Sequence, residues 1–395
     1  MERITVRVGQ TEGDVRGSDH RALQSAVDYV ASLGGGVVDV LPGVYTMHDS
    51  LHLRSNVTVC GHGAATVLRK GDGVSVPLVL DGDYGEEQIT VADATSFRVG
   101  MGVTVADRNS GGFHTTVARL LWQDGTTFGV STPLQADCMV ANGAYAASVF
   151  PVVSGYYVQN ARVEFLTVDG NRGNNPHLNG CRGAGIFLYR GHGTHIVGCH
   201  VRDYHGDGIS FQQSNDVVVE DCLVESCANL GYHPGSGSQR PTLRRNRSLR
   251  NDDMGIFLCW RVKGGTFEEN ESGDNRRYGI SIGHKDTDNV FLRNRIVGNG
   301  IAGIHFRNES EPMAGHRNRF SGNLIAGNAK FGVRVDGETH DLLFEDNDFD
   351  NDGERKQGIA ISVGPKASNV VLSANRLNGQ SVESEAGPDA LRIED

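Results

Sequence analysis

The sequence predicts an all-β chain wound as a right-handed parallel β-helix, a solenoid with an N-terminal capping helix and a small β-rich insertion. Three observations carry this expectation. A Gly-led phrase recurs about every two dozen residues, a column of Cys and Asn keeps the same step, and apolar residues alternate within each phrase.

The phrase reads Gly185-Ile186-Phe187-Leu188, Gly208-Ile209-Ser210-Phe211, Gly231-Tyr232-His233-Pro234 and Gly255-Ile256-Phe257-Leu258. It continues from Gly279, Gly303, Gly332 and Gly358, so successive steps are 23, 23, 24, 24, 24, 29 and 26 residues. The first and third residues after each Gly are mostly Ile, Leu, Phe or Val and are expected inside; the second and fourth vary and are expected outside. Each coil then buries its edge against the next at about 4.8 Å, so stability comes from neighbouring coils and the ends need caps. The second column is Cys199, Cys222, Asn246, Asn270, Asn294, Asn323, Asn347 and Asn375. Its Asn side chains either bond one another in a ladder or merely occupy turns, and the two Cys would replace a ladder with apolar stacking.

Three segments follow. Residues 1–80 hold the cap and first coils. Ser18-Asp19 can cap a helix whose one-sided apolar positions are Ala22, Leu23, Ala26, Val27, Val30 and Leu33, stopped by Gly34-Gly35-Gly36. Strands are expected over Val37–Tyr45 and Leu51–Val59, ending at Cys60-Gly61-His62-Gly63. Residues 81–148 break the repeat, and Ile89-Thr90-Val91, Val103-Thr104-Val105 and the Asp124-Gly125 turn read as a β-rich insertion. Residues 149–395 hold the repeats.

The helix, the Gly-stop and the first strands, taken with the repeats from about 150 to 380, resemble the pectate-lyase-like superfamily, whose entry helix closes the open end of a β-helix. That resemblance implies carbohydrate chemistry along an outer face.

Composition bounds the partners. A formal charge of −11 argues against non-specific nucleic-acid binding, although a cleft can be locally basic on an acidic protein. No run approaches the roughly 18 apolar residues of a membrane span. The first thirty residues lack a basic start followed by an apolar stretch, so the sequence as it stands reads as cytoplasmic, or as secreted or periplasmic if a leader was removed. The seven cysteines are odd in number, irregularly spaced and without a Cys-x-x-Cys pair, so neither zinc nor a disulfide framework is required. The expected partner is a polysaccharide or oligosaccharide, with no nucleic acid and no membrane, bound by a monomer or a homo-oligomer. No cofactor is required; calcium is possible, though no carboxylate cluster like that of pectate lyases stands in the sequence.

Folding the register back onto the sequence gathers polar residues on one face over about five coils, on the order of 20 Å. The expected catalytic group is His233, Asp207, Asp252, Asp253, His284, Lys285 and Arg307. Substrate-binding positions are Tyr189, His205, Gln212, Arg240, Trp260, Arg261, Arg277, His305 and Glu309. Later coils, with Arg334 and Asp336, read as blander, and the long step after Gly303 inserts residues 308–317 as a wall. Any one Asp here also reads as a turn residue.

Two reactions fit. In β-elimination of a uronic-acid glycan, Arg and Lys neutralise the carboxylate while His or Lys removes the C5 proton; a C5 epimerase begins the same way. In inverting hydrolysis, Asp207 would work with Asp252 or Asp253, two coils and about 9–10 Å away. The leading expectation is a polysaccharide lyase, ahead of a hydrolase. Departures from relatives are plain: Gly191-His192-Gly193 lies upstream of the Asp pair, unlike polygalacturonases, and Tyr232 precedes His233-Pro234 where mannuronan epimerases carry Asp-Pro-His. A binding module of another class stays open, with Trp260 and Tyr189 as stacking platforms and no reaction.

Overall fold

The computed structural model describes residues 4–351, 353 and 355–394. They form two compact units, each described by itself. The first comprises 1–156, 163–188 and 200–210, and the second 157–162, 189–199 and 211–395.

In the first unit the capping helix forms over His20–Ser32. Asp19 is its N-cap and accepts the Arg21 N–H at 2.9 Å, serving one of the amides that a helix start leaves open. Ala22, Leu23, Ala26, Val27 and Val30 are buried, as the helical spacing requires. Leu33, expected in that stripe, is instead the C-cap and is exposed, because the helix ends one residue earlier. Strands Thr5–Gly9, Gly36–Val40 and Val57–Lys70 pair in parallel. The last runs through Cys60–Gly63, where its end was expected, and stops only at Lys70. Gly61 permits this, since a Cβ there would stand 2.5 Å from Leu166.

The insertion is a six-stranded antiparallel sheet in the order Ser75–Pro77, Tyr145–Ala147, Gly102–Ala106, Thr116–Asp124, Thr127–Val130 and Gln88–Thr90. Asp124-Gly125 opens the expected hairpin turn. Ile89, Val103, Val105, Leu120 and Phe128 give this sheet its own core.

The second unit carries the repeat as parallel strands. On one sheet Tyr232–Gly235, Met254–Phe257, Tyr278–Ile282, Ala302–Phe306, Phe331–Val335 and Ile359–Val363 pair in turn. Ile256, Ile280, Ile304, Val333 and Ile361 fall in one register and face the core, as the alternation requires. Elsewhere in the coils Phe267, Phe291, Phe320 and Phe344 stack face to face at 4.5–4.9 Å between centroids. The recurring Gly has a steric cause. A Cβ on Gly255 would lie 1.9 Å from the Ser272 hydroxyl, and one on Gly279 2.6 Å from Ile296, so the corner has no room for a side chain.

The Asn column is a ladder. The Nδ2 groups of Asn246, Asn270, Asn294, Asn323 and Asn347 each donate to the Oδ1 of the next Asn at 2.8–3.0 Å, and that same oxygen takes the backbone N–H above it. Cys222 continues the column by hydrogen bonding rather than by apolar stacking alone. Its Sγ accepts the Cys199 N–H at 3.4 Å, and its own N–H donates to Asn246. A second ladder, not read from the sequence, runs Asn251, Asn275, Asn299, Asn328 and Gln357.

Replacing Asn294 removes the acceptor of the Asn270 N–H and Nδ2 and the donor to the Phe267 carbonyl, all buried. Asn294→Ala is expected to cost about 2–4 kcal/mol in urea unfolding at unchanged m, against at most about 0.5 kcal/mol for the exposed Asn308→Ala. Equal midpoints for the two variants would contradict the ladder's role.

Candidate functional site

Alternation on the sheet of the second unit turns His233, Phe257, Ser281, His305, Arg334 and Ser362 outward in one register, one residue per coil. Residues two dozen or more apart in sequence therefore stand about 4.8 Å apart. Two polar groupings are built on this column.

The first surrounds Arg307. Its guanidinium lies 4.6 Å over the Phe257 ring and donates to Ser281 Oγ at 3.0 Å and to the Leu258 carbonyl at 2.9 Å. It also meets Asp286 at 3.3 Å and Glu309 at 3.4 Å. Glu309 binds His284 Nε2 at 2.9 Å and accepts the His284 N–H, while His284 Nδ1 lies 3.3 Å from Cys259 Sγ. Burial alone would raise the pKa of Glu309, but the bonds from His284 and the charge of Arg307 outweigh it and hold the carboxyl below its ordinary range. Asp286 is fully buried. Desolvation pushes its pKa up to about 7 against the pull of Arg307 and of the Val262 and Gly283 N–H groups. Arg307 thus spends its charge inside the protein.

The second grouping lines a cavity of about 380 Å³ formed by Tyr278, Ile301, Ala302, His305, Lys330, Phe331, Arg334, Asp336 and Glu385. The His305 ring stacks on Tyr278 at 4.4 Å, and its Nε2 lies 3.2 Å from Asp336. Its Nδ1 is buried without a hydrogen-bond partner among the described residues. Arg334 binds Asp336 at 2.7 Å, Ser362 Oγ at 2.6 Å and Glu385 at 3.3 Å. Bonds from His305 and Arg334 outweigh burial and keep the Asp336 pKa low, so a carboxylate backs the imidazole.

A family profile described as "Right handed beta helix region" matches residues 152–239 and 174–313. Among solved structures, the A-module of the mannuronan C-5 epimerase AlgE4 of Azotobacter vinelandii is similar with a TM-score of 0.69 at 16% identity, over 98% of this chain and 94% of that one. The A-module of AlgE6 from the same organism has a TM-score of 0.63 at 16% identity, over 95% and 93%. A glycoside hydrolase has 0.53 at 11%, over 99% and 96%. No curated protein sequence matches. The chain is a right-handed parallel β-helix. At these identities the likeness establishes that fold.

On this β-helix the expected site residues are distributed unevenly. His284, Arg307 and Glu309 meet in one network, and His305 stands in the cavity. His233 is only 5% exposed, its ring set edge-on to Phe257 with centroids 5.2 Å apart. Asp252 and Asp253 are half-buried, and Arg277 binds Asp253 at 3.4 Å while lying 5.1 Å over Tyr278. Arg240 is held by Asp216, and Gln212 is buried against Gly235. Tyr189 packs on Tyr157 at 5.7 Å. Trp260 is 46% exposed and 5.3 Å from His284, Arg261 is exposed, and Lys285 is half-buried. Asp207, 1% exposed, and His205, whose Nδ1 lies 2.6 Å from the Asn175 carbonyl, belong to the first unit.

Sequence reasoning passed over Tyr278, Lys330, Arg334, Asp336 and Glu385. Arg334 and Asp336 were readable from their outward parity, so the later coils are not as bland as expected. Tyr278 precedes the corner Gly, where the alternation has not begun.

The inserted loop contributes Glu311, which with His316 and His340 brings three ligand-type side chains together. A metal fits them poorly. The His340 N–H donates to His316 Nδ1 at 3.2 Å, which places the ring proton on Nε2, facing Glu311 at 3.2 Å. The two rings stack at 3.7 Å, so their in-plane lone pairs run side by side rather than converging. The trio ties the loop down by hydrogen bonds.

Asp286 supplies a pH test. Folded, it keeps its proton to about pH 7, whereas unfolded it loses it near 3.8. The folded state therefore binds more protons between those values, and stability falls as pH rises through them. Relative to Asp286→Asn, the wild type is expected to lose on the order of a few kcal/mol between pH 4 and 7.5 in denaturant titrations. Parallel curves for the two proteins would exclude a proton on Asp286.

Proposed function

We propose that the chain is a carbohydrate-active enzyme, a polysaccharide lyase that removes the C5 proton of a uronic-acid residue in a glycan laid along the outer column. The observation that carries this reading is the cavity that sets Tyr278, His305 and Arg334 side by side with Asp336 behind the imidazole.

The chemistry follows from those groups. A C5–H beside a carboxylate is weakly acidic because its removal adds charge to an anion. Cations at the carboxylate lower that cost. Lys330 lines the cavity for this task, with Arg334 beside it already paired to Asp336 and Glu385. The His305–Asp336 pair takes the proton, the carboxylate stabilising the imidazolium that forms. Tyr278, stacked on the same ring, gives its hydroxyl proton to the departing glycosidic oxygen. The network of Arg307, Glu309 and His284 holds the neighbouring coil and positions the column.

The stacked rings lie at 4.4 Å with planes 21° apart, so base and acid share one wall of the cavity. Elimination can use both from one side of the sugar, whereas epimerisation returns the proton to the opposite face. The likeness to two mannuronan C-5 epimerase modules makes epimerisation the second reading. Hydrolysis by paired aspartates has less support, since Asp207 is almost fully buried and Asp253 is bound by Arg277.

The test is incubation with alginate, polygalacturonate and neutral glycans in D2O, following the unsaturated-uronate chromophore, reducing ends and deuterium at C5. Elimination predicts chromophore and ends rising together, with kcat lowered roughly 10²–10⁴-fold in His305→Ala and Tyr278→Phe. Ends without chromophore would mean hydrolysis. Deuterium without new ends would mean epimerisation, and turnover unaffected in both variants would remove the cavity from the mechanism.

A further inference from the structure

We propose that the groove at the turns following the column strands is a second subsite of this enzyme, one that takes the carboxylate of an acidic sugar other than the reacting one. The proposal rests on the lyase reading for the identity of the polymer and adds to it a determinant of chain length and charge.

The groove has a volume of about 550 Å³ and lies in the second unit, lined by Gln213, Asn215, Gly237, Gln239, Arg261 and Lys263 among others. Its electrostatics set it apart. The chain carries a formal charge of −11, yet no lining residue is acidic. Arg261 and Lys263 are exposed and form no ion pair among the described residues. Neighbouring carboxylates are already engaged: Arg240 binds Asp216 at 2.7 and 2.8 Å, and Arg317 binds Asp288 at 2.7 and 3.1 Å. Arg261 and Lys263, the latter sharing Asp288 with Arg317, therefore leave an excess of positive charge on a concave surface facing solvent, and an anionic ligand is complementary to it.

The groove is preorganised. Gln239 Nε2 donates to the Gly237 and Arg261 carbonyls, both at 2.8 Å, tying consecutive coils together beneath the cations. Gly237 has φ +89°, a conformation that favours glycine, and so fixes the turn beside the Arg261 guanidinium. Trp260 and Arg261 have φ of 65° and 69°, left-handed turns in which Trp260 stays 46% exposed with its ring 5.3 Å from that of His284. The guanidinium of Arg261 suits the two oxygens of a uronate carboxylate. Arg261 and Lys263 follow the strand Met254–Phe257, two coils from the strand carrying His305, about 10 Å along the stack. A glycan laid along the column reaches both places.

The experiment measures binding rather than turnover, by affinity electrophoresis of the full chain in gels holding alginate, polygalacturonate or neutral dextran, at two salt concentrations. Arg261→Gln/Lys263→Gln is compared with wild type, with the inactive His305→Ala, and with Lys356→Gln/Arg376→Gln, which removes equal charge elsewhere. The expected result is a roughly tenfold weaker affinity for both acidic glycans in the groove variant only, with retardation that falls as salt rises. Undiminished affinity, or an equal loss in the Lys356/Arg376 variant, overturns the proposal. If acidic glycans bind through the groove but no elimination product ever forms, the lyase reading fails and the groove stands. If product forms and the groove variant binds like wild type, the groove fails alone.

Discussion

Every coil of the second unit must turn corners with its backbone inside the protein, and a buried amide without a partner costs more than most contacts return. The side-chain ladders meet that constraint. Each Asn oxygen takes two N–H groups from the coil above, and each Asn Nδ2 serves a carbonyl as well, so one residue type satisfies several groups per corner. Because the donor and acceptor come from successive coils, the ladder also sets the stacking register. Corner glycines complete the arrangement by letting the chain pass where no Cβ fits.

Register in turn makes the outer surface chemical. Once Ile280, Ile304 and Val333 align inside, Ser281, His305 and Arg334 must align outside. No element is devoted to the site; it is the reverse side of the core packing. The cost of placing charge there is handled locally. Arg307 is surrounded by Asp286, Glu309, a hydroxyl, a carbonyl and a ring face, while the cations of the turn groove stay in water, where they need no partner.

Much of this was legible in one dimension. The Gly step, the inward Ile and Val positions, the Asp19 cap and the Asp124-Gly125 hairpin all follow from local periodicity and turn chemistry, and each is where it was expected. The ladder was readable because Asn kept one phase over six coils. The second ladder, beginning at Asn251, has the same phase regularity and was equally available. Cys222 was harder to read, since composition presents a thiol as a small hydrophobe and only its position beside the Cys199 N–H makes it an acceptor. Leu33 and the long strand through Gly61 depended on where neighbouring segments pack, which periodicity does not report.

Sequence by itself determined the fold class, the coil step and which residues face the core, because those are set by repeats of two and of about twenty-four residues. The tertiary structure alone decided which outward residues share a cavity and which are spent. His305 and Tyr278 are 27 positions apart and stack because their strands pair as neighbours in successive coils. Arg307 and Arg261 look alike in sequence, yet one is enclosed by two carboxylates and the other faces water. Charge commitment depends on distances across coils, and those depend on packing no local pattern encodes.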